Sequence, residues 1–447
     1  MQIGVIGTGH VGLVTCVSLA HLGHDVCGTD SDADKIAQLQ DGMSPFFEPD
    51  LEGMLQEGLS CGRLHFVSHP AEAIREADVV FISVGTPPRA SGDANLVAVE
   101  AAGRTVARHA TGRCLVVEKS TVPTGTAHRL RRALRRERPD LALELEVASN
   151  PEFLSEGNAI KNALEPDRIL VGAESEWAHQ VMRSVYAPII ASGCEIVETD
   201  IATAELAKHA SNAFLALRIS FVNALARLCE RTGADVLAVS DVMGKDPRIG
   251  RHFLSAGLGY GGSCFPKDLI ALKRISSQLG YEFPFLAEVA RVNDETIEAA
   301  LEKIRDALWN MEGKRIALLG LSFKPGTDDV RFAPALSLAR RLLEEGAQVV
   351  GYDPMGMANA RQDVPEIETA SDSYDAAEGA HCVVLCTEWD EFLNLDLEKL
   401  GRLMAHPIMI DGRNVFDSDA MRAAGFAYYA AGRPPITEED ASARSQP

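Results

Sequence analysis

At 447 residues, 46% of them hydrophobic and 24% charged, the chain has the makeup of a globular protein with two or three domains and ample material for their cores. Its 64 acidic against 43 basic residues leave a formal net charge of −21, which argues against general nucleic-acid binding and against adhesion to anionic membranes; an anionic ligand would need basic groups gathered locally. Nine scattered cysteines form neither a disulfide framework nor a zinc-type spacing, no run of about 18 uninterrupted apolar residues occurs, and the N-terminus lacks the basic start of a signal peptide, so a reduced, cytoplasmic, soluble protein without a metal is expected.

Gln2 to Ile6 reads as a short apolar strand, followed by Gly7-Thr8-Gly9-His10-Val11-Gly12 and a helical run to about Leu22. Asp25 to Asp30 reads as a second strand, closing on an acid 23 positions after Gly7. Strand, glycine loop, helix, strand and acid in that order form a dinucleotide-binding fingerprint. The carboxylate of Asp30 suits a ribose 2′-hydroxyl and favours NAD over NADP, whose 2′-phosphate it would repel. Further strands, Val79 to Val84, Leu115 to Glu118 and Glu146 to Ala148, run into Gly85-Thr86-Pro87-Pro88, Lys119-Ser120-Thr121 and Asn150-Pro151-Glu152. Polar groups thus recur at the carboxyl ends of strands, where open parallel sheets bind ligands. Thr121 suits a turn, a cap or a water site. Glu152 and Glu156 share a face if a helix begins at Glu152, with solvated surface as the alternative.

From Asp200, a fitting N-cap, one helix is predicted to about Arg231, stopped by Thr232-Gly233. Such a helix spans roughly 45 Å. It is apolar on more than one face, so burial on several sides and a homodimer packed through it are expected. Lys208 and Asn212 interrupt it one turn apart, and buried polar groups need partners. The run Gly259 to Asp268 sets Cys264 between a glycine stretch and a helix start: Pro266 suits the first turn, and Asp268 to Gln278 reads as amphipathic helix. Unpaired N–H groups and Lys267 would favour a thiolate there; a buried structural cysteine is the alternative.

The C-terminal third repeats the opening. Lys314 to Gly320 echoes Gln2 to Gly7, Gly346 to Asp353 echoes Gly23 to Asp30, and Ala380 to Cys386 echoes the strand at Val79. A second α/β domain of related topology follows, with Cys382 and Cys386 in its core. Its first loop lacks the glycine fingerprint and carries Lys324, which suits another phosphorylated ligand better than a second dinucleotide. Arg331 and Arg413 read either as surface ion pairs or as anion-binding groups. The stretch after about Gly432 is expected to be disordered. The expected division is therefore 1–199 for a Rossmann-like NAD domain, 200–312 for a helical middle domain, 313–432 for the second doubly wound α/β domain and 433–447 for the tail.

Together, Gly7-x-Gly9-x-x-Gly12, Gly85-Thr-Pro-Pro, Ser120-Thr-Val-Pro-Thr-Gly-Thr, Asn150-Pro-Glu-Phe-Leu-Ser-Glu-Gly, Pro166-Asp-Arg, Lys208-x-x-x-Asn212, the run Phe253 to Asp268, and Phe323-Lys-Pro-Gly-Thr-Asp-Asp resemble the UDP-glucose 6-dehydrogenase family over nearly the whole chain. The resemblance implies a four-electron oxidation of a primary alcohol to a carboxylate with NAD, through a covalent intermediate on Cys264. It assigns Lys208 and Asn212 to oxyanion stabilisation, Asp268 with Thr121 and a water to proton removal, and Glu152 to thioester hydrolysis. It assigns Gly7, Gly9, Gly12, Asp30, Lys35, Thr86, Thr121, Glu156, Lys267 and Arg331 to NAD. For the nucleotide sugar it implies Glu152, Phe153, Leu154, Glu156, Lys208, Asn212, Phe253, Leu254, Ser255, Ala256, Gly257, Gly261, Lys324 and Arg413, with Arg248 from a partner subunit. Two positions depart from the family pattern: Ser155 stands where arginine is common, and Asp50 where glycine is common. GDP-mannose and UDP-N-acetylhexosamine 6-dehydrogenases are the nearest alternatives, and a one-step hydroxyacid dehydrogenase without a covalent cysteine is a more distant one.

Overall fold

The computed structural model describes residues 1–141, 144–437 and 439–440. The chain divides into two compact units, residues 1–211 with 270–282, and residues 212–269 with 283–447.

The first unit is built on eight strands: β1 (Gln2–Ile6), β2 (Asp25–Thr29), β3 (Leu64–Val67), β4 (Val79–Ile82), β5 (Cys114–Glu118), β6 (Leu145–Ser149), β7 (Arg168–Gly172) and β8 (Glu195–Thr199). Their order is β3-β2-β1-β4-β5-β6-β7-β8. All neighbours are parallel except β6 and β7, which meet antiparallel at Ser149 and Gly172. The first six strands follow the 3-2-1-4-5-6 order of dinucleotide-binding sheets, so the chain reverses direction across the sheet between β1 and β4. Both faces of the sheet are covered. Phe81 and Val117 pack with Leu13 and Val17 of the helix His10–His21, whereas their neighbours Val80, Ile82 and Val116 pack with the helices Val97–His109 and Thr126–Glu137. Strands buried on both faces read as continuous apolar runs, which is why β1, β4 and β5 were legible. Strands β3 and β8 alternate or are half-exposed, and the sequence reading did not include them.

The second unit holds β9 (Arg315–Leu319), β10 (Gln348–Tyr352), β11 (Glu368–Thr369), β12 (Cys382–Leu385), β13 (Ile408–Asp411) and β14 (Ala427–Ala430), all parallel, in the order β11-β10-β9-β12-β13-β14. This is the same 3-2-1-4-5-6 pattern, so the repeat seen in sequence is a repeat of topology. Cys382 and Cys386 are fully buried, and burial pushes the Cys386 thiol up to about 12.

The long helix runs Ile201–Thr232. The carboxylate of Asp200 accepts from the Thr203 N–H at 2.9 Å and the Thr203 hydroxyl at 2.6 Å, fixing its start. By length and composition it could cross a membrane, with a mean hydropathy of 1.2 over its most apolar window. Its polar residues Glu205, Lys208 and His209, however, are buried and bonded to the protein itself. Phe214, Phe221 and Leu228, seven residues apart, form an exposed apolar row along it.

One expectation is extended and one changes. The helix whose amphipathic run is expected from Asp268 begins at Cys264, with Pro266 in its first turn as expected, where no backbone N–H has an intrahelical acceptor. The disorder expected from 433 does not begin there: Arg433 and Ile436 are buried, and Tyr428 and Ile436 exchange hydrogen bonds of 2.8 and 2.9 Å. Arg433 also donates to Phe416 O at 2.9 Å and to the Tyr428 hydroxyl at 3.0 Å. Residues 438 and 441–447 of that tail lie outside the described residues.

Candidate active site

In the first unit, the glycines after β1 divide their work. Gly7 has φ +93°, and Gly12 lies so close that a Cβ there would come 1.8 Å from Gly7 O. A Cβ on Gly9 would meet no atom within 4 Å, so its backbone faces open space at the start of the helix His10–His21, where N–H groups point outward. Asp30 accepts from the Thr8 N–H at 2.8 Å, the Thr8 hydroxyl at 3.0 Å, the Asp32 N–H at 3.1 Å and Lys35 Nζ at 3.2 Å. Burial works against its charge, but the Thr8 and Asp32 N–H groups and Lys35 outweigh burial and hold the carboxyl below its usual range. An open glycine, a close-packed glycine and an ionised acid at the next strand end fit NAD. The matching acid of the second sheet, Asp353, is sealed. One oxygen accepts from the Leu321 and Ser322 N–H groups and the other from Met355 and Gly356, so it has no room for a ribose.

Beyond β5, the Thr86 hydroxyl donates to Thr121 O at 2.9 Å and the Ser120 hydroxyl to Val84 O at 2.8 Å. Beyond β6, Glu152 to Glu156 is not helical; the next helix is Ala159–Leu164. Pro151 disfavours helix in the residue before it, and Gly157 takes φ +80°, so Glu152 and Glu156 do not share a helix face. Glu152 instead accepts from the Leu154 N–H at 2.6 Å and pairs with Lys208 Nζ at 3.2 Å, both groups nearly fully buried. Phe153 lies against two cations, with the Arg168 guanidinium carbon 3.8 Å and Lys208 Nζ 5.2 Å from its ring centre. Leu154 packs at the edge of the apolar core. The loop is tied down by Glu48, whose two oxygens accept from the Gly157 and Ala159 N–H groups, each at 2.7 Å. Asp50 keeps a left-handed backbone, φ +65°, which accounts for a glycine being common there.

In the second unit, Asn212 Nδ2 donates to Asp268 Oδ2 at 2.6 Å and Lys267 Nζ to Asp268 Oδ1 at 2.8 Å, around a carboxylate that is 1% exposed. Lys267 thus has the Asp268 carboxylate as a partner, three residues along the helix from Cys264. Cys264 is exposed as the first helical residue, its Sγ 3.9 Å from Ser263 Oγ. The exposure goes against a buried structural cysteine.

The run Phe253 to Gly262 is held by side chains that the sequence reading passed over. Asn223 Oδ1 accepts from the Gly257 N–H at 2.8 Å, Asn293 bonds both the N–H and the carbonyl of Tyr260, and Thr296 donates to Leu258 O at 2.7 Å. Leu254 and Ala256 are buried, Phe253 and Ser255 exposed. Side chains on Gly257 or Gly261 would collide with Gly412 O or Phe332 O. Arg413 spreads its guanidinium over the carbonyls of Cys386, Gly259 and Phe323 and lies 3.2 Å from Glu388, so it braces the loop as much as it offers charge. Lys324 Nζ stands 5.7 Å from the Phe323 ring centre. Arg331 pairs with Asp329 at 2.6 Å, and the well exposed Arg248 pairs with Asp246 at 2.6 Å.

Comparison with known proteins gives the same picture over the whole length. Three segments match the UDP-glucose/GDP-mannose dehydrogenase family: its NAD binding domain at residues 1–190, its central domain at 202–295 and its UDP binding domain at 317–418. The chain is 42% identical to the UDP-glucose 6-dehydrogenase YwqF of Bacillus subtilis, covering 99% of this chain and 100% of that one, and 43% identical to the UDP-glucose 6-dehydrogenase of Rhizobium meliloti, covering 97% and 100%. Among solved structures it superposes on a UDP-glucose dehydrogenase from Pyrobaculum islandicum with a TM-score of 0.90 at 39% identity, over 97% of this chain and 98% of that one. With the dinucleotide loop, the Lys208–Glu152 pair and the exposed Cys264 in place, the chain belongs to the UDP-glucose/GDP-mannose dehydrogenase family.

Proposed function

We propose that this chain oxidises the C6 alcohol of UDP-glucose to the carboxylate of UDP-glucuronate in two NAD-dependent steps. The observation that carries this reading is its likeness, at 42–43% identity over 97–99% of its length, to UDP-glucose 6-dehydrogenases. NAD+ bound at the glycine loop would accept a hydride in each step. Asp268, with Thr121 and a water, takes the alcohol proton in the first oxidation. An aldehyde is a poor hydride donor until a nucleophile adds to it, and Cys264 supplies that nucleophile. Its thiolate bonds to the aldehyde carbon as a thiohemiacetal, the second oxidation leaves a thioester, and water activated by Glu152 releases the acid and the thiol. Lys208 and Asn212 stabilise the alkoxide and oxyanion stages, where one donor is typically worth about 2.7 to 4 kcal/mol.

The binding roles given above for NAD and for the nucleotide sugar, the division at 199, 312 and 432, and a cytoplasmic location away from membranes belong to the same reading. So does a homodimer packed through the exposed row Phe214, Phe221 and Leu228, with Arg248 reaching the partner's site; that row supports it. The test is a panel of UDP-glucose, UDP-N-acetylglucosamine, UDP-N-acetylmannosamine and GDP-mannose with NAD. Two NADH per UDP-glucose, with the other sugars poor, is the expected result. One NADH with an accumulating aldehyde or ketone overturns the four-electron reading, and preference for another sugar overturns the substrate.

A further inference from the structure

The turn that carries Thr121 is fastened to the long helix by two side chains that flank Lys208. The helix Thr126–Glu137 begins after Gly125, which sits at φ +89° and has no side chain to cap it. Its exposed donors are met from a distance: the Glu205 carboxylate accepts from the Gly125 N–H at 2.5 Å and the Ala127 N–H at 2.8 Å. One turn further along, His209 Nε2 bonds Val122 O at 2.9 Å. A carbonyl can only accept, so Nε2 carries the proton. Glu205 and His209 are 2% and 1% exposed, and Lys208, between them, reaches Glu152 at 3.2 Å. The Thr86 hydroxyl bonds the carbonyl of Thr121. Nothing in the dinucleotide fingerprint or the cysteine chemistry calls for Glu205 or His209.

We infer that Glu205 and His209 are positioning residues: together they clamp the Pro123–Gly125 turn to one turn of the long helix, so that Thr121 and the Lys208–Glu152 pair are held by the same few backbone atoms. This rests on the proposed role of Thr121. A misplacement of about 1 Å at such a site can cost roughly 10²-fold in rate.

The test compares Glu205→Ala, Glu205→Gln, His209→Phe and His209→Gln in the full-length protein. Steady-state kinetics with UDP-glucose and NAD are read beside hydrogen exchange of peptides covering 120–127. Glu205→Ala and His209→Phe are expected to lower kcat about 10- to 100-fold, leave KM for UDP-glucose within about twofold, and speed exchange in that segment alone. The Gln variants, which keep one acceptor or a donor, are expected to recover part of both signals. Unchanged kcat in Glu205→Ala, or a loss accompanied by faster exchange throughout the sheet, overturns the clamp. If the wild type does not oxidise UDP-glucose, the proposed function fails; the exchange measurement then judges the clamp by itself.

Discussion

Glu118, the last residue of β5, is fully buried, and neither carboxylate oxygen has a hydrogen-bond partner among the described residues. The neighbouring Ser120 hydroxyl donates to Val84 O at 2.8 Å, and what Ser120 offers the Glu118 anion is outweighed by burial. Burial pushes the Glu118 carboxyl from 4.5 up to about 8, and the charge of Glu205 adds to the shift. The sign follows from proton binding. Between these two values the folded protein keeps a proton that the unfolded chain releases, so the stabilisation is complete below about 4.5 and is lost as pH rises through about 8. At about 1.4 kcal/mol per pH unit, the loss across that window is on the order of 5 kcal/mol. Glu118→Gln removes the titration while keeping the shape. Because two units need not unfold together, the assay is urea-titrated hydrogen exchange of peptides covering β5, at a series of pH values, in both proteins. The difference between them cancels the histidines and the other titrations that Glu118 does not influence, leaving Glu118 with its coupling to Glu205. The wild type should lose stability relative to the variant from pH 5 to pH 9. Parallel curves would refute the reasoning by showing that Glu118 is already ionised, or solvated, at neutral pH.

Glu152→Gln should trap a thioester on Cys264, seen as added mass on the intact protein after reaction; normal turnover by an unmodified variant argues against the hydrolytic role. Gly12→Ala would set a Cβ 1.8 Å from Gly7 O and should weaken NAD binding about five- to 150-fold by calorimetry, since overpacking of this kind costs about 1–3 kcal/mol. Equal affinity would mean the loop shifts freely. If the proposed dimer packs through the exposed row of the long helix, Phe221→Glu, which places a charge in that row, should lower the wild-type mass to that of a monomer by light scattering. An unchanged mass would move the interface elsewhere.

The legible parts of this protein are those in which one local rule has one structural outcome. Continuous apolar runs gave β1, β4 and β5, because strands covered on both faces tolerate little else. The cap at Asp200 was legible because it satisfies a backbone group three residues away, and the glycine loop and the acid at Asp30 because strand, loop, helix, strand and acid follow in one fixed order. Whether Glu152 and Glu156 share a helical face stays open in the sequence, because the loop is held by a remote carboxylate, Glu48, that local spacing does not reveal. Pro266 is legible as a first-turn residue, while the helix itself reaches back to Cys264, ahead of the amphipathic run that begins at Asp268.

By itself, the sequence determined two doubly wound sheets, a dinucleotide loop, a long helix and the placing of Cys264 at a helix start, each encoded by neighbours along the chain. Which polar side chains are joined was decided only in three dimensions. Lys208 finds Glu152, Asn212 and Lys267 find Asp268, and Glu205 and His209 find the Thr121 turn, because a buried donor or acceptor must be met by whatever the fold brings within about 3 Å.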